Sequence, residues 1–122
     1  MPYDYRKSER LRTNSEFVAT MKGKRLSTDG LSLFYRQNGA GNFRVGISVG
    51  KKLGNAVRRN RLRRQLRSCI GRVLGQHAAG YDLVFVARQE LAGREFSEVL
   101  KAVTRAIQRA GILGTGPEGS LR

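Results

Sequence analysis

The feature that most restricts this chain is a run of arginines threaded through an apolar repeat, in a stretch with no acid to answer it. From Asn55 to about Leu74, Leu62, Leu66, Cys69, Ile70 and Val73 recur at the spacings of three and four that mark an amphipathic helix. At about 100° per residue, Asn60, Arg61, Arg63, Arg64 and Arg67 spread over one broad face while Leu62, Leu66, Cys69 and Val73 group on the other. Arg59 projects toward the apolar side in the first turn, where a positioning role is expected. Such a helix must lay one side on a core and offer the other to something anionic. Between Asp29 and Asp82 there is no Asp or Glu, so the i,i+4 acids that relieve a merely solvated basic face are missing.

The whole chain carries the same imbalance. With 24 Lys and Arg against 9 Asp and Glu in 122 residues, its formal charge is +15, which favours a polyanionic partner. Arginine outnumbers lysine in the helix, and its planar fork suits bidentate phosphate contact and base stacking. Structured RNA is the partner this predicts. A structured-RNA binding protein of ribosomal type, with no processing role, would explain the charge equally well. A DNA-binding protein is further off, for want of a helix-turn-helix pairing or a dimer seam.

The remaining pattern is that of one α+β domain over residues 1–110, with a glycine-rich tail, 111–122, expected to be disordered. Thr13 and Glu16 are spaced as a capping box for a short helix from Asn14 to Lys22, which places Phe17, Val18 and Met21 on one side and ends at Gly23. Leu31 to Arg36 and Arg44 to Gly50 alternate as strands and are expected to pair as a hairpin through the turn-rich 37–42 segment. Asp82 to Ala87 reads as a strand buried on both faces, Phe96 to Ala110 as an amphipathic helix, and Lys24 to Ser27 as a candidate further strand.

Catalytic chemistry is hard to find. The only histidine, His77, is expected in a surface turn, no Cys or His cluster has metal-ligand spacing, and Asp4, Asp29 and Asp82 are far apart in sequence. The lone Cys69 lies in an apolar row and is expected to be buried and inert. Gly50-Lys51-Lys52-Leu53-Gly54 leads into a helix N-terminus, a natural anion site, but lacks Walker spacing. No catalytic residue and no metal ligand is therefore expected. No signal-like or membrane-length apolar run is seen, so a cytoplasmic protein with no membrane association is expected.

A second surface is predicted on the polar strand face. Ser32, Phe34 and Arg36 should lie beside Ser48 and Gly46, an arrangement that can stack single-stranded RNA, with Phe17 and Met21 as a wall. The alternative is that Phe34 is core beneath the first helix.

Leu53-Gly-Asn-Ala56-Val-Arg-Arg59-Asn60-Arg61-Leu62-Arg63-Arg64-Gln-Leu66-Arg67 resembles the signature helix of the bacterial ribonuclease P protein family. Arg10-Leu11, Phe17, Arg44 to Lys52 and Asp82 to Arg88 fall in that family's order, so the resemblance spans roughly Arg10 to Arg109. It implies a small mixed four-stranded sheet with three helices and a left-handed βαβ crossover, of the ribosomal protein S5 domain 2 type. It also implies a non-catalytic protein subunit of a ribonucleoprotein endoribonuclease, a hydrolase that removes the 5′ leader of precursor tRNA. The implied partners are the catalytic RNA and precursor tRNA, with no protein partner required. Mg²⁺ would be held mainly by the RNA, with none bound tightly by the isolated protein. Lys51, Lys52, Asn55, Arg58, Arg59, Asn60, Arg61, Arg63, Arg64 and Arg67 are the expected contacts to the RNA subunit. Phe17, Met21, Ser32, Phe34, Arg36 and Ser48 are those expected for the leader. Met21 stands where an aromatic is frequent in the family and Phe34 where a tyrosine is, which implies a shifted leader preference.

Overall fold

The computed structural model describes residues 10–11, 13–39, 42–74 and 80–112. His77 lies outside them, as do residues 113–122 of the expected tail. The order of elements is α1 (Asn14–Met21), β1 (Lys24–Thr28), β2 (Leu31–Gln37), β3 (Arg44–Val49), α2 (Ala56–Leu74), β4 (Tyr81–Ala87) and α3 (Phe96–Ala110), with short 3-10 turns at Lys51–Leu53 and Gln89–Leu91. The strands form one mixed sheet in the order β1-β2-β4-β3.

This order overturns the expected hairpin between β2 and β3. β4 lies between them, antiparallel to β2 and parallel to β3, and α2 is the crossover that makes the parallel pairing possible. The physical reason is burial. Leu83, Val84 and Phe85 are wholly buried, and an apolar run covered on both faces belongs in the middle of a sheet. The tight hairpin joins β1 to β2 instead, through Asp29 and Gly30 at φ of 54° and 82°. Positive φ at both central residues is the requirement of a type I′ turn, which Asp-Gly meets at little cost.

One face of the sheet carries Leu31, Leu33, Val45, Val49, Leu83, Phe85 and Ala87 into a core shared with α2 and α3. α2 contributes Leu62, Leu66, Cys69, Ile70 and Leu74, with Val73 only half-buried, and α3 contributes Val99, Ala102, Val103, Ala106 and Ile107, with Phe96 and Leu100 half-buried at its edge. Burial pushes the Cys69 thiol up to about 11, so it is neutral near pH 7. Gly111, at φ 68°, caps α3 in the left-handed conformation and Ile112 is buried against the core. The packed domain thus reaches past the boundary expected at residue 110.

α1 lies on the opposite face, and its cap is the one the sequence predicts. The Thr13 hydroxyl accepts from the Glu16 N–H and Glu16 Oε1 accepts from the Thr13 N–H, both at 3.2 Å. Its apolar side is less buried than expected: Phe17 is half-buried, Val18 and Met21 are exposed, and Thr20 is the buried residue. Gly23 follows the helix without a positive φ. Its smallness serves a close approach, since a β-carbon there would collide with the Tyr35 carbonyl of β2.

Candidate nucleic-acid interface

Two surfaces emerge, and the first is the outer face of α2. Asn55, expected as the first helical residue, stands just before the helix, where its Oδ1 accepts the Arg58 N–H at 2.9 Å. The preceding Gly54 has φ 132°, and the Arg58 side chain packs against it so closely that a β-carbon would lie 2.9 Å from Cδ. Arg59 folds back to donate from Nε to the Gly54 carbonyl at 3.1 Å and is half-buried, which fits its place near the apolar side. Gly54→Ala is therefore expected to strain the entrance of α2, costing about 1 kcal/mol or more, and to shift Arg58 and Arg59 together. A melting curve and RNA affinity measured on that variant would check this, and parent values for both would disprove it.

Further along, the arginines fall into distinct states. Arg63 donates from Nη1 to Asn60 Oδ1 at 2.7 Å and is half-buried. Arg67 is half-buried, with a buried Nε that meets no acceptor among the described residues. Arg61 and Arg64 are exposed, as are Lys51 and Lys52 in the 3-10 turn ahead of the helix. Arg72 points elsewhere, with its guanidinium 5.3 Å from the Phe96 ring centre of α3. Arg61, Arg64 and neighbouring Asn60 thus stand exposed on the outer side of the helix.

The second surface is the sheet face that α1 only partly covers. Phe17 places its ring over Gly46 of β3, where any β-carbon would overlap it. The helix crosses from Arg44 on β3, which meets Glu16, to Tyr35 on β2, which meets Gly23. Along this face the registers are Phe34–Val84–Gly46, whose Gly46 end lies under Phe17, and Ser32–Val86–Ser48. The serine and glycine of β3 are thus a full strand away from Ser32 and Phe34, with two β4 valines between them, rather than adjacent as expected.

Phe34 is half-buried and outside the core cluster, with the Arg25 guanidinium 5.7 Å from its ring centre. Ser48 is half-buried. Ser32 departs from expectation: it is 1% exposed, its hydroxyl 2.8 Å from that of Ser27 and 3.4 Å from Arg88 Nη1. It braces Arg88 rather than lining an open surface. Where the ends of β3 and β4 converge, Lys52, Leu53, Val86, Ala87, Arg88, Gln89 and Glu90 surround an open depression of about 680 Å³.

Arg36, expected among the residues that line this face for the leader, is engaged elsewhere. It donates from Nη2 and Nε to Oδ2 of Asp82, at 3.1 and 3.3 Å. Asp82 is wholly buried, and also accepts from Asn38 at 2.8 Å and from Arg44 Nε and Nη2 at 2.8 and 2.9 Å. Burial alone would raise its pKa. The hydrogen bonds from Arg44, Asn38 and Arg36 outweigh that and hold the carboxyl below the ordinary range, while the same pairing raises Arg44. Sequence reasoning misses this cluster, because its members meet only when β2, β4 and β3 align in register. The one signal for it is an acid opening an otherwise apolar strand.

Both oxygens of Asp82 are engaged by cationic and amide donors, which leaves no approach for a metal ion. Among the described residues no group of three or more His, Cys, Asp or Glu has metal-binding geometry, and no helix is long and apolar enough to cross a membrane.

Comparison with known proteins agrees with this fold. The Ribonuclease P family model matches residues 5–111. A ribonuclease P protein component of Bacillus cereus is 34% identical over 114 residues, covering 92% of this chain and 96% of the relative. The ribonuclease P protein of Staphylococcus aureus superposes with a TM-score of 0.80 at 28% identity, covering 88% of this chain and all of that one. That of Thermotoga maritima gives 0.75 at 33% identity, covering 83% and 96%.

Proposed function

This chain belongs to the bacterial ribonuclease P protein family, and from that premise we propose that it binds the catalytic RNA of ribonuclease P through α2 and the 5′ leader of precursor tRNA through the sheet face beside α1. The observation that carries the first half is α2 itself, one side locked into the core and the exposed Arg61 and Arg64 projecting from the other. For the second half the support is the partly covered sheet face. Phe34 and Ser48 are half-buried on this face, and Lys52 and Arg88 border the depression at the strand ends. An unpaired strand can pass there with bases against Phe34 and phosphates toward the cations, whereas a duplex is too wide for such a surface.

In this reading the protein cuts nothing. The active site for phosphodiester hydrolysis is on the RNA, Mg²⁺ is held mainly by RNA, and the protein adds substrate affinity in the cytoplasm. Adding the chain to a bacterial ribonuclease P RNA at low Mg²⁺ should stimulate leader removal, while the purified protein alone should cleave nothing. No stimulation, or cleavage by the protein alone that a point substitution in it abolishes, would overturn the proposal.

A sharper prediction concerns α2. Arg61→Ala with Arg64→Ala should weaken binding of the RNA subunit and flatten the plot of log K against log salt by about 0.7 to 0.9 for each phosphate no longer neutralised. Stability should change by no more than about 0.5 kcal/mol, because both side chains are exposed. An unchanged slope means that neither arginine touches phosphate.

A further inference from the structure

α1 is the helix that partly covers the sheet face assigned to the leader. α1 has eight residues, of which Thr20 alone is buried, and a helix so short has little stability of its own. Among the described residues its contacts with the sheet include the buried Thr20, the Phe17 ring on Gly46, the close approach of Gly23 to the Tyr35 carbonyl, and Glu16 on Arg44. The contact of Glu16 with Arg44 differs in kind, being directional and charged.

We infer that Glu16 is a positioning residue, whose carboxylate ties the cap of α1 to a buried charge cluster and so sets how the helix sits over the leader groove. Oxygen Oε1 closes the capping box at 3.2 Å from the Thr13 N–H, and Oε2 accepts from Arg44 Nη1 at 3.0 Å. Arg44 is not free to follow a wandering partner. Its Nε and Nη2 are paired with the two oxygens of Asp82, which fixes the guanidinium plane and therefore the direction of Nη1. Asp82 in turn is held by Arg36 from β2 and by Asn38 just beyond it. The first turn of α1 is thus referenced through Arg44 to three strands of the sheet. This rests on the leader reading of the groove, though the mechanical part can be tested without it.

Two variants isolate the strut from the cap and from the fold. Glu16→Gln keeps a residue able to serve at the third position of a capping box but removes the charge facing Arg44. Arg44→Lys keeps a cation beside Asp82 but removes the planar fork. Spin labels at Val18→Cys on α1 and Gln108→Cys on α3, both exposed positions, report the seat of the helix, while native Cys69 is buried from the reagent. The parent should give a narrow distance distribution and both variants a broadened or displaced one, with helical circular dichroism retained.

In the reconstituted holoenzyme, Glu16→Gln should lower the preference for precursor over mature tRNA by about five-fold, on the order of one stacked base. An unchanged distance distribution in both variants overturns the inference. A broadened distribution with leader preference intact upholds Glu16 as the strut and overturns the groove reading instead.

Discussion

Asp82→Ala is expected to cost about 3 kcal/mol of stability and to lower the melting temperature by roughly 12 to 24 °C. Removing one partner of a buried ion pair leaves charge stranded, a loss typically of about 3 to 5 kcal/mol. The low end applies because the Arg36 and Arg44 side chains are 37% and 28% exposed and can turn partly to water. The same carboxylate makes stability depend on pH. Its pKa is held down in the folded protein, so its contribution is complete above the ordinary carboxylate range and is lost as pH falls through the lower folded-state value. Melting curves between neutral and strongly acidic pH should converge for parent and variant at the acidic end. A variant melting within a few degrees of the parent at pH 7 would mean that the cluster contributes little.

Phe34→Ala should weaken binding of precursor tRNA by about five- to 150-fold while leaving mature tRNA nearly untouched, the equivalent of the roughly 1 to 3 kcal/mol carried by one stacked base. The expectation follows from where Phe34 lies: half-buried, outside the core cluster, its ring faced by Arg25. A core phenylalanine would instead cost about 3 to 5 kcal/mol of folding energy and depress every activity together. Paired affinities for substrates with and without a leader, measured beside a melting curve, separate the two. Equal loss for both RNAs, or a collapse in melting temperature, would remove Phe34 from the leader site.

What the sequence discloses and what it hides divide by range. The capping box at Thr13 and Glu16, the span of α3 and the buried side of α2 depend on residues within a few positions of one another, and periodicity finds them. Strand pairing is non-local. The turn-rich segment after Gln37 suggests a hairpin that β4 prevents by inserting itself, whereas the compact Asp29-Gly30 dipeptide is the stronger hairpin signal and makes one. Asp82 lies 46 positions from Arg36 and 38 from Arg44, so nothing local marks it as their shared partner. For the same reason the open sheet face is only partly legible: alternation assigns Ser32 to the correct side of β2, but its burial depends on Ser27 of β1 and on Arg88 just past β4.

The central place of β4 also governs the order in which the molecule becomes itself. β4 is the last strand among the described residues, yet it supplies the inner partner of both β2 and β3. On the ribosome, a nascent chain ending before residue 81 has α2 already made, but no completed sheet for its apolar side to rest on. Long-range pairing of this kind forms late, because loop closure must precede the contacts that reward it. The basic face and the sheet face therefore take their fixed relation only once β4 has joined β2 to β3.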